Sequence, residues 1–280
     1  MPFVTLDGAK VAYEERGRGE PVILVHGWNS SRKQWLLNLK ALAPHFRAIA
    51  VDLPGFGESE ELSFPYTLDG MASFLEAFAG ALRLPSFHLL GHSMGGCICI
   101  RYGVLYPDMV RKLILVSTPT RTVSMGLRVV LPGAAFFVSR TYRFRSESVL
   151  KWMFYRGLYK PEYQDLDFVR ANARANALAT RRALSESVRM VRKMDLAEDL
   201  HNISQPTLIV FGDKDKSVNA REALRQRDHL SNPYMTILTA CAHCPPYERP
   251  ELFNTVVMDF LQAQDLELQN GGDGTAAGGE

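Results

Sequence analysis

The chain has 280 residues, 46% of them hydrophobic and 22% charged, with 32 Lys and Arg against 30 Asp and Glu. That near-neutral balance carries no electrostatic footprint for nucleic acid, and the apolar share is that of a globular protein rather than a disordered one. No stretch of about 18 consecutive apolar residues occurs, so no membrane-spanning helix is expected. The first residues lack the basic start and apolar core of a signal peptide. Four cysteines are too few for a disulfide framework, so a cytoplasmic location is expected.

In chain order, an Asp7-Gly8 turn predicts a hairpin between Phe3–Leu6 and an edge strand over 9–15. The short β-branched run Val22–Val25 reads as a buried parallel strand. Helical spacing follows over 33–42, then a strand over 48–51 and an amphipathic helix over 68–84. A strand over 87–90, a helix from Met94 stopped by Pro107, and a strand over 112–117 complete a β-α-β rhythm. From Thr120 to Glu198 the rhythm breaks into helical segments rich in aromatic and basic residues. It resumes with the strand Thr207–Gly212, a helix over 219–229, a strand over 234–238 and a helix over 251–262. These elements predict an α/β fold with a mostly parallel central sheet flanked by helices. The core comprises residues 1–119 and 199–263, with a helical insertion over 120–198. The Gly-rich end, 264–280, reads as disordered.

The chemistry centres on Gly91-His92-Ser93-Met94-Gly95, a G-x-S-x-G pattern between a strand and a helix. That context is the nucleophile elbow, in which Ser93 stands on a strained turn and Gly91 and Gly95 leave room for the crossing backbone. The free N–H groups and dipole of the helix start favour negative charge beside Ser93. The competing reading is a serine that merely caps the helix.

A serine hydroxyl needs a base, and the base needs an orienting carboxylate. In such a sheet both follow the serine, acid before histidine, each just past a strand. His201 precedes a strand and His229 lies in a helix, whereas His243 sits in a loop after the strand over 234–238, stiffened by Pro245 and Pro246. His243 is therefore the expected base. For the acid, Asp213 and Asp215 both follow the strand ending at Phe211, and spacing leaves the choice open.

Five motifs in order, HGW (26–28), DLPGFGES (52–59), GHSMGG (91–96), FGDKD (211–215) and AHCPPYERPELFN (242–254), resemble the α/β-hydrolase superfamily over residues 3 to about 263. The resemblance implies Asp215 as the acid, with Asp213 a polar neighbour. It also implies an oxyanion loop at His26-Gly27-Trp28, where the backbone N–H of Trp28 joins that of Met94 and His26 only shapes the loop. Ala242 stands where the family usually has glycine, and Asn219 where a proline is common. Asn219 is expected to cap the next helix. A serine rather than an aspartate nucleophile implies acyl-enzyme chemistry, on esters first with thioesters and activated amides as alternatives, and with no cofactor and no metal. The insertion resembles the family's lid over the active site.

Residues 120–198 hold 15 Lys and Arg against 7 Asp and Glu, a net of +8, which leaves −6 for the rest. The basic, aromatic insertion reads as an apolar pocket roof with solvated arginines, or as a surface that docks on anionic membrane. The Cys241–Cys244 pair brackets His243 but lacks the helix start of a redox dithiol, so coincidence is the reading preferred over regulation. Cys97 and Cys99 read as core. The expected function is hydrolysis of a small carboxylic ester with an apolar acyl group. Carbon–carbon hydrolysis of diketone-like ring-cleavage products and small-ligand reception are the alternatives; Cys-Pro-Pro-Tyr after His243 lacks the Trp frequent in the carbon–carbon hydrolases.

Overall fold

Side-chain alternation along the strands sets the layers of the fold, seen in a computed structural model that describes residues 2–122 and 166–263. The strands are β1 (Phe3–Leu6), β2 (Ala9–Arg16), β3 (Glu20–Val25), β4 (Phe46–Val51), β5 (Phe87–His92), β6 (Val110–Val116), β7 (Thr207–Gly212) and β8 (Pro233–Leu238). They form one sheet in the order β1-β2-β4-β3-β5-β6-β7-β8, parallel from β4 to β8 and antiparallel at β1 and β2. The β1–β2 turn uses Asp7 at φ 48° and Gly8 at φ 80°, the left-handed pair of a tight hairpin.

On one face Ile23, Val25, Ile49, Val51, Leu89, Leu115 and Phe211 meet α2 (Leu68–Ala81) and α3 (Met94–Leu105). On the other, Val22, Leu24, Ala48, Leu90, Ile114 and Val210 meet α1 (Leu36–Leu42) and α9 (Pro250–Gln262). Strict alternation within a continuous apolar strand is what burial on both faces demands. Buried Lys112, on β6, donates to the carbonyls of Phe260, Leu261 and Ala263, anchoring the end of α9 where a cation is favoured.

The remaining described helices are α4 (Leu166–Asn176), α5 (Arg181–Lys193), α6 (Ala197–His201), α7 (Arg221–His229) and the single turn α8 (Pro245–Glu248). Thr180 caps α5 by accepting from Ala183 N–H at 3.1 Å, while its own N–H donates to Gly55 in the core at 2.8 Å. α5 buries Ala183, Leu184, Met190 and Val191 and exposes Arg181, Arg182, Arg189, Arg192 and Lys193. At the other root of the expected insertion, Leu196 N–H donates to Thr120 at 2.9 Å and Arg121 pairs with Asp195. The aromatic first half of that insertion and the expected disordered end lie outside the described residues.

Three expectations change. The strand expected at the edge over 9–15 is β2, which lies inside the sheet between β1 and β4, so that β1 forms the edge. The segment after His243 is not a plain loop: Pro245 and Pro246 start α8, because proline fits the first helical positions, where no N–H is required. Asn219 does not sit at the N-cap of α7, a place taken by Ala220. It acts one residue earlier, its side chain accepting from Arg221 N–H at 2.9 Å.

Candidate active site

The site gathers at the carboxyl ends of β3, β5, β7 and β8, where open α/β sheets bind their ligands. Ser93 follows β5 with φ 52° and ψ −118°, a conformation costing about 1–3 kcal/mol for a residue with a Cβ. The surroundings enforce it: Ser93 N–H donates to Val116 at 2.8 Å and its carbonyl accepts from Cys97 at 3.2 Å. A Cβ on Gly91 would lie 2.6 Å from the Gly95 carbonyl, and one on Gly95 2.6 Å from the His26 carbonyl. Ser93 occupies the N-cap position of α3, yet its side chain makes no capping bond. Its Oγ lies instead 3.1 Å from Nε2 of His243. The helix-capping reading therefore fails on geometry.

Nδ1 of His243 donates to Asp215 Oδ2 at 2.8 Å, and that tautomer leaves Nε2 free to accept from Ser93. The Asp215 side chain is fully buried, and its Oδ1 accepts from the backbone N–H of Ser217 at 2.7 Å and Val218 at 3.0 Å. Burial pushes its carboxyl up, but His243 and these bonds outweigh it and hold the pKa below the usual range. For His243, burial works against the charge while Asp215 and Glu248 favour it, and the pKa stands above 6.5.

Asp213 does not reach the histidine. Its Oδ1 accepts from Cys241 N–H at 3.2 Å and its Oδ2 pairs with Lys214 at 2.8 Å, bracing the turn that leads to His243. Ala242 is not among the residues with positive φ; the left-handed residue of this turn is Ala240 at φ 50°. An alanine methyl is thus accommodated at 242. Cys241 and Cys244 are buried free thiols, with pKa values pushed up by burial, which keeps them out of thiolate chemistry. Cys97 and Cys99 are fully buried in the core.

His26 is buried and neutral. Its Nδ1–H donates to Gly27 at 2.8 Å and its Nε2 accepts from Leu53 N–H at 3.0 Å, pinning the 26–28 loop to the end of β4. Trp28 is half-buried, and its indole N–H donates to the Leu184 carbonyl of α5 at 3.2 Å. Within the described residues no hydrogen bond is made to the backbone N–H of Trp28 or of Met94.

Three supports escape a reading by motif. His92 is buried, kept neutral by burial with its pKa near 3, and donates from Nε2 to the His243 carbonyl at 2.8 Å. Arg32, only 1% exposed, pairs with Asp52 and Glu58, while Asp52 also accepts from the N–H groups of Arg32 at 2.6 Å and Glu58 at 2.9 Å. DLPGFGES supplies both carboxylates of this ion cluster, and its Leu53 N–H is the donor to His26. Third, Glu248 accepts from the N–H groups of Ala242 and Cys244, the residues flanking His243. The one available signal for it was a carboxylate one turn past a Pro-Pro pair. Among the described residues no group of three His, Cys, Asp or Glu side chains is placed to hold a metal ion, and no helix is long and apolar enough to cross a membrane.

A family model described as the alpha/beta hydrolase family matches residues 22–256. Among curated proteins, the 2-hydroxy-6-oxo-6-(2'-aminophenyl)hexa-2,4-dienoic acid hydrolase of Metapseudomonas resinovorans is 28% identical over 272 residues, covering 92% of this chain and 90% of its own length. The pimeloyl-[acyl-carrier protein] methyl ester esterase of Photobacterium profundum is 26% identical over 258 residues, covering 90% and 98%. The crystal structure of a membrane phospholipase A, described as a bacterial virulence factor, aligns with a TM-score of 0.78 at 25% identity, covering 96% of this chain and 86% of that one.

Proposed function

The chain belongs to the alpha/beta hydrolase family, and from that membership we propose that it is a serine hydrolase of carboxylic esters. The observation that carries the proposal is the 3.1 Å separation of Ser93 Oγ from a His243 Nε2 that is free to accept, with Nδ1 bound to a buried carboxylate. Ser93 Oγ attacks the ester carbonyl as its proton passes to Nε2. The developing oxyanion is bound by the N–H groups of Trp28 and Met94, both without a competing bond among the described residues. The imidazolium, stabilised by Asp215, returns the proton to the leaving alcohol as the C–O bond breaks. Water, deprotonated by His243, then attacks the acyl-enzyme, releasing the carboxylic acid and restoring the Ser93 hydroxyl.

The described part of the insertion, residues 166–198, caps this site in our reading, supported by the Trp28–Leu184 bond that ties the oxyanion loop to α5. Four unpaired cysteines are the usage of a reducing compartment and support a cytoplasmic place of action. The relative named as a hydrolase of a 2-hydroxy-6-oxo dienoic acid favours one second reading, carbon–carbon hydrolysis of a diketone-like ring-cleavage product by the same triad.

The test is a panel of p-nitrophenyl esters of increasing acyl length, with Ser93→Ala as control. Hydrolysis is expected on at least one ester, with a loss of about 10⁴-fold or more in the variant. Activity that survives Ser93→Ala rejects the mechanism. An enzyme inert on every ester that bleaches a 2-hydroxy-6-oxo dienoate would move the assignment to the second reading.

A further inference from the structure

A catalytic histidine on a loop must be held to within a fraction of an ångström, and side-chain bonds to its ring do not fix the backbone that carries it. Here that backbone is gripped from two sides. The Cys241 carbonyl accepts from Lys214 N–H at 2.8 Å and the His243 carbonyl from His92 Nε2 at 2.8 Å. On the donor side, Cys241 N–H goes to Asp213 at 3.2 Å. The Ala242 and Cys244 N–H groups go to the two oxygens of one carboxylate, Glu248 Oε2 at 3.2 Å and Oε1 at 2.8 Å. Glu248 N–H in turn donates to the Cys244 carbonyl at 3.0 Å, the i→i−4 bond that opens α8, so the carboxylate and the backbone of Glu248 both bind Cys244. Pro245 and Pro246 have no N–H to compete for the carboxylate, and they start the turn that aims Glu248 back over its own loop.

We propose that Glu248 is a positioning residue for His243: by spanning the amides on either side of it, its carboxylate sets the loop so that Nε2 meets Ser93 while Nδ1 meets Asp215. The inference rests on the reading of Ser93 and His243 as nucleophile and base. The bonds of Glu248 go to backbone amides rather than to Ser93 Oγ or the His243 ring, so its effect falls on kcat rather than KM. Its charge reaches the ring as well. Among the described residues, the groups facing His243 are Asp215 from the loop after β7, His92 and Ser93 from the end of β5, and Glu248 from α8. Among them Asp215 and Glu248 are anionic and His92 stays neutral, so removing the Glu248 charge lowers the pKa of His243.

Glu248→Gln keeps the length but offers one accepting oxygen and sets an NH₂ against the other amide. On the best ester of the panel, kcat is expected to fall about 10- to 100-fold, the scale of a misplacement of up to about 1 Å. KM should change little, and the acidic limb of the kcat/KM profile should move to lower pH. Glu248→Asp keeps the charge with a shorter reach: kcat should fall by a smaller factor while the acidic limb stays in place. Wild-type kcat and an unmoved limb in Glu248→Gln would overturn the inference. If Glu248→Gln does not fold, wild-type kcat in Glu248→Asp overturns it instead. Ser93→Ala measured alongside separates the two claims, because activity that survives it removes the nucleophile rather than Glu248. The C2 proton of His243, followed by NMR, reads the same effect without turnover. Glu248→Gln is expected to lower its titration midpoint, and an unchanged midpoint with unchanged line position counts against the positioning role.

Discussion

Replacing Asp215 by asparagine should all but stop turnover without unfolding the protein, and the structure says why. Oδ1 of Asp215 accepts two backbone N–H bonds, at 2.7 and 3.0 Å. Those donors decide which end of an asparagine amide goes where. The oxygen stays with Ser217 and Val218, and the NH₂ lands where Oδ2 now lies, 2.8 Å from His243 Nδ1. Turning the amide over would set its NH₂ against two donors, at about 1–3 kcal/mol for each unsatisfied group. His243 must therefore accept at Nδ1 and carry its proton on Nε2, which faces Ser93 at 3.1 Å and can no longer take a proton. In a serine protease the same tautomer trap slows turnover by about 10⁴-fold, near 5.5 kcal/mol. Asp213→Asn keeps an oxygen for Cys241 N–H and loses only a solvent-screened pair with Lys214, so its rate should stay within about threefold of wild type.

The assay is kcat/KM on a short p-nitrophenyl ester for both variants at a pH above the His243 pKa, with thermal unfolding in parallel. Asp215→Asn within tenfold of wild type, or Asp213→Asn as the larger loss, refutes the reasoning. Stability carries a second signature. The Asp215 pKa is depressed in the fold, so its contribution is present above the unfolded value of about 3.9 and lost as pH falls through the folded one. The His243 pKa is raised, so its contribution is full below about 6.5 and lost as pH rises through the folded value. The stability gap between wild type and Asp215→Asn should accordingly be widest between roughly pH 4 and 6.5 and narrow on both sides.

Two further outcomes are expected. Asp52→Asn leaves the buried Arg32 guanidinium with Glu58 as its remaining carboxylate partner in the cluster, and should destabilise by about 3–5 kcal/mol, lowering the thermal midpoint by roughly 6–20 °C; a shift under about 2 °C would mean that the cluster is not a brace for the 26–28 loop. If the exposed cations of α5 are the part of the insertion that docks on anionic lipid, the triple change Arg189→Glu, Arg192→Glu, Lys193→Glu should cut sedimentation with phosphatidylglycerol vesicles while leaving hydrolysis of a short soluble ester unchanged. Equal sedimentation of wild type and variant would leave α5 as a solvated cap face.

What the sequence made legible was whatever chain neighbours decide. TLIVFG is a strand because both faces of a central parallel strand are buried, and its expected bounds, Thr207–Gly212, match β7. Ser93 could be placed because an elbow is a local pattern of strand, turn and helix, with glycines where its own backbone crosses. The partners of the site were harder in proportion to their separation. His92 reads only as a member of the elbow pattern, and the strand expected over 87–90 runs on to His92 in the structure; its role depends on a carbonyl 151 residues away. Nothing local marked Arg32 as buried, since a charge usually faces solvent, whereas Asp52 and Glu58, brought in from 20 and 26 residues on, help to make its burial tolerable. Asp213 and Asp215 could not be ranked by spacing, since two residues along the same loop differ in where their carboxylates point, not in how far they lie from the strand. Pro245-Pro246 suggested rigidity but concealed a helix start, and with it the reason for Glu248. The groups proposed to react are thus written in residue type and strand-end position, whereas the groups that hold them are written in backbone amides and carbonyls, which every residue shares and no motif can mark.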